Sequence, residues 1–561
     1  MAKAIPIGYQ EYNELIENHL FYVDKTHFIR EWWESRDKVT LITRPRRFGK
    51  SLAMSMTEQF FSVKYAGRSD LFQDYSVWES EAYRNLQGTY PVIALSFANI
   101  KETTFLETRK KICRTIQLLY RKYEFLLEGD CLSNGEKEDF RQISVDMEEY
   151  AASLSLQQLS EYLSRYYGKK VIILLDEYDT PLQEAYVNGF WNPLSGFMRN
   201  LFNATFKGNP YLERAIMTGI TRISKESIFS DLNNLKVITT TSDEYADCFG
   251  FTEEEVLAAL EEYHLSEKMQ EVKSWYDGFI FGGKRDIYNP WSILNYLDTG
   301  KLRTYWANTS SNILIGQLIR EGSKDVKEKF EMLMCGECLH VAIDEQIVYD
   351  QLSVKESSIW SLLLASGYLK VVNVDFVERT GQMYYDLALT NKEVRIMFGN
   401  MIHGWFADYD SNYNDFVKAL ISNDLKAMNV YMNRVALATF SFFDSGNKPS
   451  AESEPERFYH GFVLGLIVEL EDRYTITSNR ESGFGRYDVL MEPKNCGNDA
   501  YILEFKVFDP DEEKTLADTV RKAREQIEEK KYDTWLLQKG IPRERIRKYG
   551  FAFQGKKILI G

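Results

Sequence analysis

The chain has 561 residues, 83 acidic against 68 basic side chains, a net charge of −15, and 44% hydrophobic, 27% charged and 14% aromatic residues. Its length exceeds a single hydrophobic core, so roughly two to four domains are expected. The acidic balance excludes a globally basic nucleic-acid binder, the aromatic share argues against long disordered tails, and no apolar run is long enough to span a bilayer.

The first residues lack an apolar secretion core, so a cytoplasmic protein is expected. The cysteines at 113, 131, 248, 335, 338 and 496 are scattered. Only Cys335 and Cys338 are spaced C-x-x-C; with no second pair, although His340 is close, they read as reduced structural cysteines.

Tyr22-Val-Asp-Lys-Thr26 and an amphipathic helix from His27 to Trp33 form a lead-in, with Asp24 and Lys25 read as turn residues. Val39 to Thr43 reads as a buried strand, followed by Arg44-Pro-Arg-Arg-Phe-Gly-Lys-Ser51 and a helix beginning at Lys50. That is the layout of a phosphate-binding P-loop. The loop residues Arg46, Arg47, Phe48 and Gly49 would turn backbone N–H groups toward phosphates. Lys50 would reach the β- and γ-phosphates, and the Ser51 hydroxyl would hold Mg²⁺. Arg44 stands where the general pattern has a glycine, so it must adopt an allowed conformation or the loop must open differently.

Tyr90 to Phe97 reads as a second buried strand, residues 101–166 as mostly helical, and Lys170-Val-Ile-Ile-Leu-Leu-Asp-Glu-Tyr-Asp179 as a third strand ending in acids. Ligands of open α/β sheets sit beyond the carboxyl ends of the strands. Asp176 would therefore orient Mg²⁺, and Glu177 would act as general base on the attacking water. Arg214 to Gly219 and Leu235 to Thr240 supply further strands. Thr218 could sense the γ-phosphate, and Arg222 could stabilise transition-state charge or form a surface ion pair. Strands alternating with helices predict a parallel P-loop NTPase sheet covered on both faces.

Residues 241–340 read as helices with turn-rich aromatic stretches, a helical lid, with Thr252 as an N-cap. Residues 352–406 read as helix, strand, strand, helix, an order that suits a winged-helix module. Residues 412–442 read as a helical bridge and 445–454 as a linker. The expected division is 1–245, 246–340, 341–444 and 451–561.

After the linker, Glu456 to Glu469 reads as an apolar helix. Asp488 opens an alternating strand, and Ala500 to Val507 carries Glu504 and Lys506, two apart and so on one face. If these strands pair, Asp488, Glu504 and Lys506 gather into an oxygen site suited to Mg²⁺ or Mn²⁺ with an adjacent ammonium. Such a metal would activate water against a phosphodiester, with Lys506 stabilising the developing charge. The alternative is a cross-strand ion pair. Glu456 is a further candidate acid, and His460 reads as a core histidine. Arg521, Lys522, Arg524, Gln526, Tyr532 and the basic tail from Arg543 to Lys548 are candidate phosphate contacts or a solvated face.

The motifs Val23-Asp-Lys-Thr26, Arg44 to Ser51, Leu175-Asp-Glu-Tyr-Asp179 and Thr218-Gly-Ile-Thr-Arg222 resemble the AAA-ATPase-like domain of bacterial two-domain proteins. Gly485-Arg-Tyr-Asp488 with Glu504-Phe-Lys506 resembles the PD-(D/E)XK nuclease domain that follows it in that architecture, an α/β fold like that of restriction endonucleases. The Arg44 variant of the P-loop is the family's own. The resemblance implies ATP and Mg²⁺ handling by Lys50, Ser51, Asp176 and Glu177. It implies metal ligation by Asp488 and Glu504, a catalytic Lys506 and a substrate-side Gln526. It also implies a role in phage defence or mobile-element biology.

The expected function is an ATP-regulated, metal-dependent nuclease acting on DNA ahead of RNA, with no membrane partner and homo-oligomerisation left open. The alternative is a nucleotide-dependent assembly switch whose nuclease-like domain binds without cutting. A weaker third reading, an ATP-driven translocase, would need a clearer arginine finger and a basic channel.

Overall fold

The computed structural model describes residues 2–222, 228–229, 232–307, 313–321, 323–343, 356–379, 381–406, 414–439, 463–464, 466–467, 470, 473–482, 485–495, 497–510, 512–554 and 557–561. The chain divides into two compact units. One comprises residues 1–322 and 338–394, the other 323–337 and 395–561. The segment 323–337, read with the lid from sequence, thus groups with the second unit.

The first unit is built on a five-stranded sheet of β1 (Val39–Thr43), β2 (Val92–Ser96), β3 (Val171–Asp176), β4 (Leu212–Gly219) and β5 (Leu235–Ile238), in the order β2-β3-β4-β1-β5. Every pairing is parallel, as the near-continuous apolar runs require. The helix Lys50–Phe61 follows β1 and buries Met56, Phe60 and Phe61 against Ile42, Ile172, Leu174 and Ile216. The parallel strands place the ends of β1, β3 and β4 on one side, where the candidate side chains Ser51, Asp176 and Thr218 collect.

The region read as an all-helical lid contains a three-stranded antiparallel sheet of β6 (Phe251–Thr252), β7 (Asp277–Phe281) and β8 (Lys284–Tyr288), set among the helices Glu253–Glu262 and Pro290–Thr299. Gly282-Gly283 joins β7 to β8, and Gly282 takes φ 53°. The two-glycine turn after the apolar run Phe279-Ile-Phe281 is a hairpin signal that outweighs the local helical pattern. Thr252 does cap its helix, its Oγ1 accepting from the Glu255 N–H at 3.3 Å within a capping box. Further along, β9 (Leu339–Ala342), β10 (Leu369–Val377) and β11 (Gln382–Leu389) form an antiparallel sheet in the order β10-β11-β9. The helices Glu356–Ala365 and Lys392–Phe406 flank the β10–β11 hairpin, giving the helix, strand, strand, helix order expected.

The second unit holds a mixed sheet in the order β12-β13-β14-β15-β16: β12 (Tyr474–Ser482), β13 (Gly485–Pro493), β14 (Ala500–Val507), β15 (Ile546–Gln554) and β16 (Lys557–Ile560). Only β14 and β15 are parallel, and the helix Leu516–Glu529 makes their crossover. The helices Asn414–Ile421 and Leu425–Thr439 fall within the segment read as a bridge. They are part of this unit's core: Phe416, Leu420, Met428 and Met432 pack with Val489, Leu503, Phe505 and Phe551. On the opposite face Leu490 and Ile502 pack with Ile527, Tyr532 and Leu536. Residues 445–454, read as a linker, lie outside the described residues.

Phe416→Ala is expected to lower stability by about 3–5 kcal/mol in urea denaturation. Val430→Ala, on the neighbouring helix but 60% exposed, is expected to shift it by no more than about 0.5 kcal/mol.

Candidate functional site

Between Arg44 and Ser51, positive φ occurs at Arg47 (63°) and Gly49 (83°), and not at position 44. The loop therefore turns three residues after the position of the general pattern's first glycine and needs no glycine at 44. The Arg44 side chain turns inward and is 0% exposed. Its Nη1 donates to the carbonyls of Thr43 (3.0 Å) and Thr239 (2.7 Å), and its Nη2 to those of Glu244 (3.2 Å) and Tyr245 (3.4 Å). The guanidinium lies 4.6 Å from the centroid of Phe281 and 5.8 Å from that of Phe249. Burial pulls its pKa down to about 10, so it remains a cation at neutral pH.

Gly49 ends the turn as the N-cap of the helix Lys50–Phe61. Lys50 is buried, and its Nζ donates to the carbonyls of Arg44 and Pro45, both at 2.9 Å. Burial lowers its pKa. Ser51 Oγ donates to Asp176 Oδ2 at 2.7 Å, and Thr218 Oγ1 donates to Asp176 Oδ1. Burial raises the Asp176 pKa, and these two hydroxyls oppose the rise. The helix after β1, the end of β3 and the end of β4 are thus joined at one carboxylate.

Glu177 takes φ 51°, a left-handed conformation that costs a non-glycine residue about 1–3 kcal/mol and is concentrated at functional sites. Its N–H donates to Thr218 Oγ1 at 3.3 Å, and its Oε2 accepts from Thr180 Oγ1 at 3.0 Å. Asp179 is buried below it. One of its oxygens, Oδ2, accepts from the N–H groups of Ile220 (3.0 Å) and Thr221 (2.9 Å) and from Thr221 Oγ1 (2.9 Å). Arg222 is partly exposed at the end of this segment.

The rest of the loop is gripped by the hairpin and the residues after it. Phe48 is buried, its ring 4.7 Å from Phe279 and 5.4 Å from Phe281, so its side chain points away from any phosphate. Its contribution to the loop is its backbone. Arg47 stacks over Trp291 at 4.3 Å. The Arg46 carbonyl accepts from Trp306 Nε1 (2.9 Å) and Asn289 Nδ2 (3.3 Å). The buried carboxylate of Glu393 accepts in turn from the Trp306 N–H (2.7 Å) and Ser292 Oγ (2.8 Å).

In the second unit, β13 and β14 pair antiparallel with Val489 opposite Leu503. Asp488 Oδ2 accepts from the Phe505 N–H at 2.7 Å, which fixes that carboxylate beside β14. Glu504 is 2% exposed, and its Oε1 accepts from Gln526 Nε2, which also reaches the Tyr532 hydroxyl at 3.3 Å. Tyr532 is raised in pKa chiefly by burial, and both Glu504 and Asp488 add to the rise. The three groups thus share one electrostatic environment. Lys506 is partly exposed at the end of β14. The alternation of β14 puts Ile502, Glu504 and Lys506 on one face, beneath the helix that carries Gln526. The donors are hard carboxylate oxygens on the adjoining strands β13 and β14, a set that fits Mg²⁺ or Mn²⁺.

Residues 6–229 match the family model described as predicted AAA-ATPase, and residues 454–561 match that of the PD-(D/E)XK nuclease superfamily. The chain carries an AAA-ATPase-like domain and a PD-(D/E)XK nuclease superfamily domain. Over 526 residues, 90% of each chain, it is 26% identical to an uncharacterized protein from the vnfD 5′ region of Azotobacter chroococcum mcd 1.

In the AAA-ATPase-like domain the structure brings together Lys50, Ser51, Asp176, Glu177 and Thr218, and in the nuclease superfamily domain Asp488 and Glu504. Glu456 and His460 lie outside the described residues. Asp24 and Lys25 hold the lead-in: Asp24 accepts from the Ser76 N–H at 2.9 Å, and Lys25 pairs with Glu255 at 2.7 Å. Several candidate phosphate contacts are paired locally, Arg521 with Asp518 (2.8 Å), Lys522 with Glu513 (3.0 Å) and Lys548 with Asp533 (2.8 Å). Tyr532 is buried against Gln526 rather than presented at a surface. Sequence reasoning missed Asp179 and Glu393. Asp179 stood inside the acidic motif, three residues after Asp176, and could have been found there. Glu393 had no local signal.

Arg44→Gly restores the general P-loop pattern but removes the buried cation that gathers these carbonyls. It is expected to lower the Tm and weaken ATP binding in calorimetric titration. An unchanged Tm would show that the guanidinium does not hold the loop.

Proposed function

We propose that this protein is a nucleotide-regulated, metal-dependent phosphodiesterase acting on DNA. The observation that carries this reading is the joint presence of the Ser51–Asp176–Thr218 network at the P-loop and the Asp488–Glu504 pair on β13 and β14. Ser51 and Asp176 would hold Mg²⁺ with ATP, and Asp488 and Glu504 would hold Mg²⁺ or Mn²⁺ at the second site. The bound ions would offset phosphate charge at both sites and lower the pKa of bound water.

The chain's own residues do the rest. Lys50 exchanges its loop carbonyls for phosphate oxygens, so nucleotide entry substitutes one set of acceptors for another. Glu177, held by Thr180 and strained at φ 51°, accepts the proton of the attacking water. Thr218 reports on the γ-phosphate through its hydrogen bond to Asp176. At the second site Lys506 donates toward the charge developing on the phosphodiester, and Gln526 keeps the Glu504 carboxylate oriented. Glu393 supports the loop through Trp306, and its helix continues past Arg395 into the second unit. That continuity is a covalent route by which nucleotide state would reach the nuclease domain.

The second reading, an assembly switch whose nuclease-like domain binds without cutting, is favoured by the local pairing of Arg521, Lys522 and Lys548. That pairing leaves a weaker cationic track for a nucleic-acid backbone.

Plasmid and single-strand cleavage with Mg²⁺ or Mn²⁺, with and without ATP, tests the first reading. Lys506→Ala is expected to reduce cutting by about 10²-fold or more while ATP binding survives. Lys50→Ala is expected to remove ATP binding and any response of cutting to ATP. Cleavage persisting in Lys506→Ala would falsify the site assignment, and ATP-driven oligomerisation without cutting would favour the switch.

A further inference from the structure

Away from both sites, the helix His27–Ser35 carries His27 and Glu31 one turn apart, so both project from one face. The segment after β5 brings Asp247 and Cys248 against that face. His27 Nε2 lies 3.6 Å from Asp247 Oδ1, and Cys248 Sγ lies 3.6 Å from Glu31 Oε2. The donor atoms of the four residues all lie within 4.8 Å of one another. A tetrahedral zinc ion, with nitrogen and oxygen at about 2.0–2.1 Å and thiolate at about 2.3 Å, sets its ligand atoms roughly 3.3–3.6 Å apart. Both measured separations are of that size.

The state of the four groups points the same way. His27 Nε2 is buried and lies beyond hydrogen-bond distance of any partner among the described residues, so a ring nitrogen faces the Asp247 carboxylate across the cluster. Cys248 is 3% exposed. Two carboxylates and a thiolate around a dication leave one negative charge. The Lys25 ammonium, donating to the Asp247 carbonyl at 2.6 Å, lies beside it. Nitrogen, sulfur and carboxylate donors together select zinc over magnesium or calcium, and four protein ligands make a closed, structural site.

We propose that His27, Glu31, Asp247 and Cys248 form a structural zinc site that fastens the helix ahead of β1 to the segment after β5. That segment supplies the Glu244 and Tyr245 carbonyls and the Phe249 ring around Arg44. The ion therefore braces the P-loop from behind.

Titration of the chelator-treated full chain with Co²⁺ tests this. The expected result is a thiolate-to-cobalt charge-transfer band in the near ultraviolet that saturates at one equivalent and is bleached by Zn²⁺. The P-loop and nuclease residues offer oxygen donors and give no such band. The band is lost in His27→Gln/Cys248→Ser and kept in Cys335→Ser/Cys338→Ser. Glu31→Gln retains it with affinity weakened by more than about tenfold. Zn²⁺ raises the Tm of the wild type and leaves that of His27→Gln/Cys248→Ser unchanged, with circular dichroism confirming that this variant is folded. Should it not fold, loss of affinity in Glu31→Gln carries the test. No thiolate band in the wild type, a band unchanged in the double variant, or unaltered affinity in Glu31→Gln overturns the proposal.

Discussion

The loop from Arg44 to Ser51 rests on a buried cation held by backbone. Removing a guanidinium from water costs several kcal/mol even after relaxation, and among the described residues Arg44 has no carboxylate in ion-pair contact. What offsets the cost is a ring of carbonyls from Thr43, Thr239, Glu244 and Tyr245, with the faces of Phe249 and Phe281. Because these partners come from β1, the end of β5 and the hairpin, one side chain sets the spacing of three segments. The loop's late turn at Arg47 and Gly49 follows, since position 44 is committed to the interior.

The parallel sheet was legible because its strands are short, largely apolar runs, and β1, β2 and β3 end in a polar residue. Asp176 and Thr218 were legible for the same reason, each standing at the end of its strand, and Ser51 was legible from Gly49-Lys50-Ser51 at the start of the helix that follows β1. The Arg44 side chain was harder to place. A basic residue in a basic loop reads as solvent-facing or phosphate-facing, and its actual partners are main-chain carbonyls about 200 residues away, which carry no sequence signature. The place of the Phe48 ring likewise had no local signal, because the aromatic pocket that takes it is assembled from residues 279 and 281. The β7–β8 hairpin was announced by Gly282-Gly283, but the flanking helical pattern dominated the reading. The helices at 414–439 looked like a bridge because their apolar stripes carry no indication of which sheet they cover.

The second unit is a contrast in how an acid is kept inside. Glu504 sits on the central strand of its sheet, with Leu503 and Phe505 packed on one face and Ile502 on the other. An isolated carboxylate there would be driven to its neutral form. Gln526 and the nearby Tyr532 supply polar groups from the crossover segment, so the helix that makes the parallel β14–β15 connection also conditions the site. Right-handed crossover geometry forces that helix over this face of the sheet. Topology and chemistry are therefore one constraint here.

The same logic explains why so many residues of the first unit converge on a single carbonyl. A P-loop must present N–H groups to phosphate while its own carbonyls point elsewhere, and those carbonyls need donors. Arg44 and Pro45 carbonyls receive Lys50, and the Arg46 carbonyl receives Trp306 and Asn289. On the proposed reading, phosphate would recruit Lys50 and strip the first pair of their donor, while the Arg46 carbonyl would keep its own. The Trp306 contact is fixed by Glu393, a buried acid whose pKa is raised by burial and which is held by backbone N–H groups and Ser292. The loop thus has one half whose carbonyls are held by the Lys50 ammonium and another clamped through Trp306 to the helix beginning at Lys392.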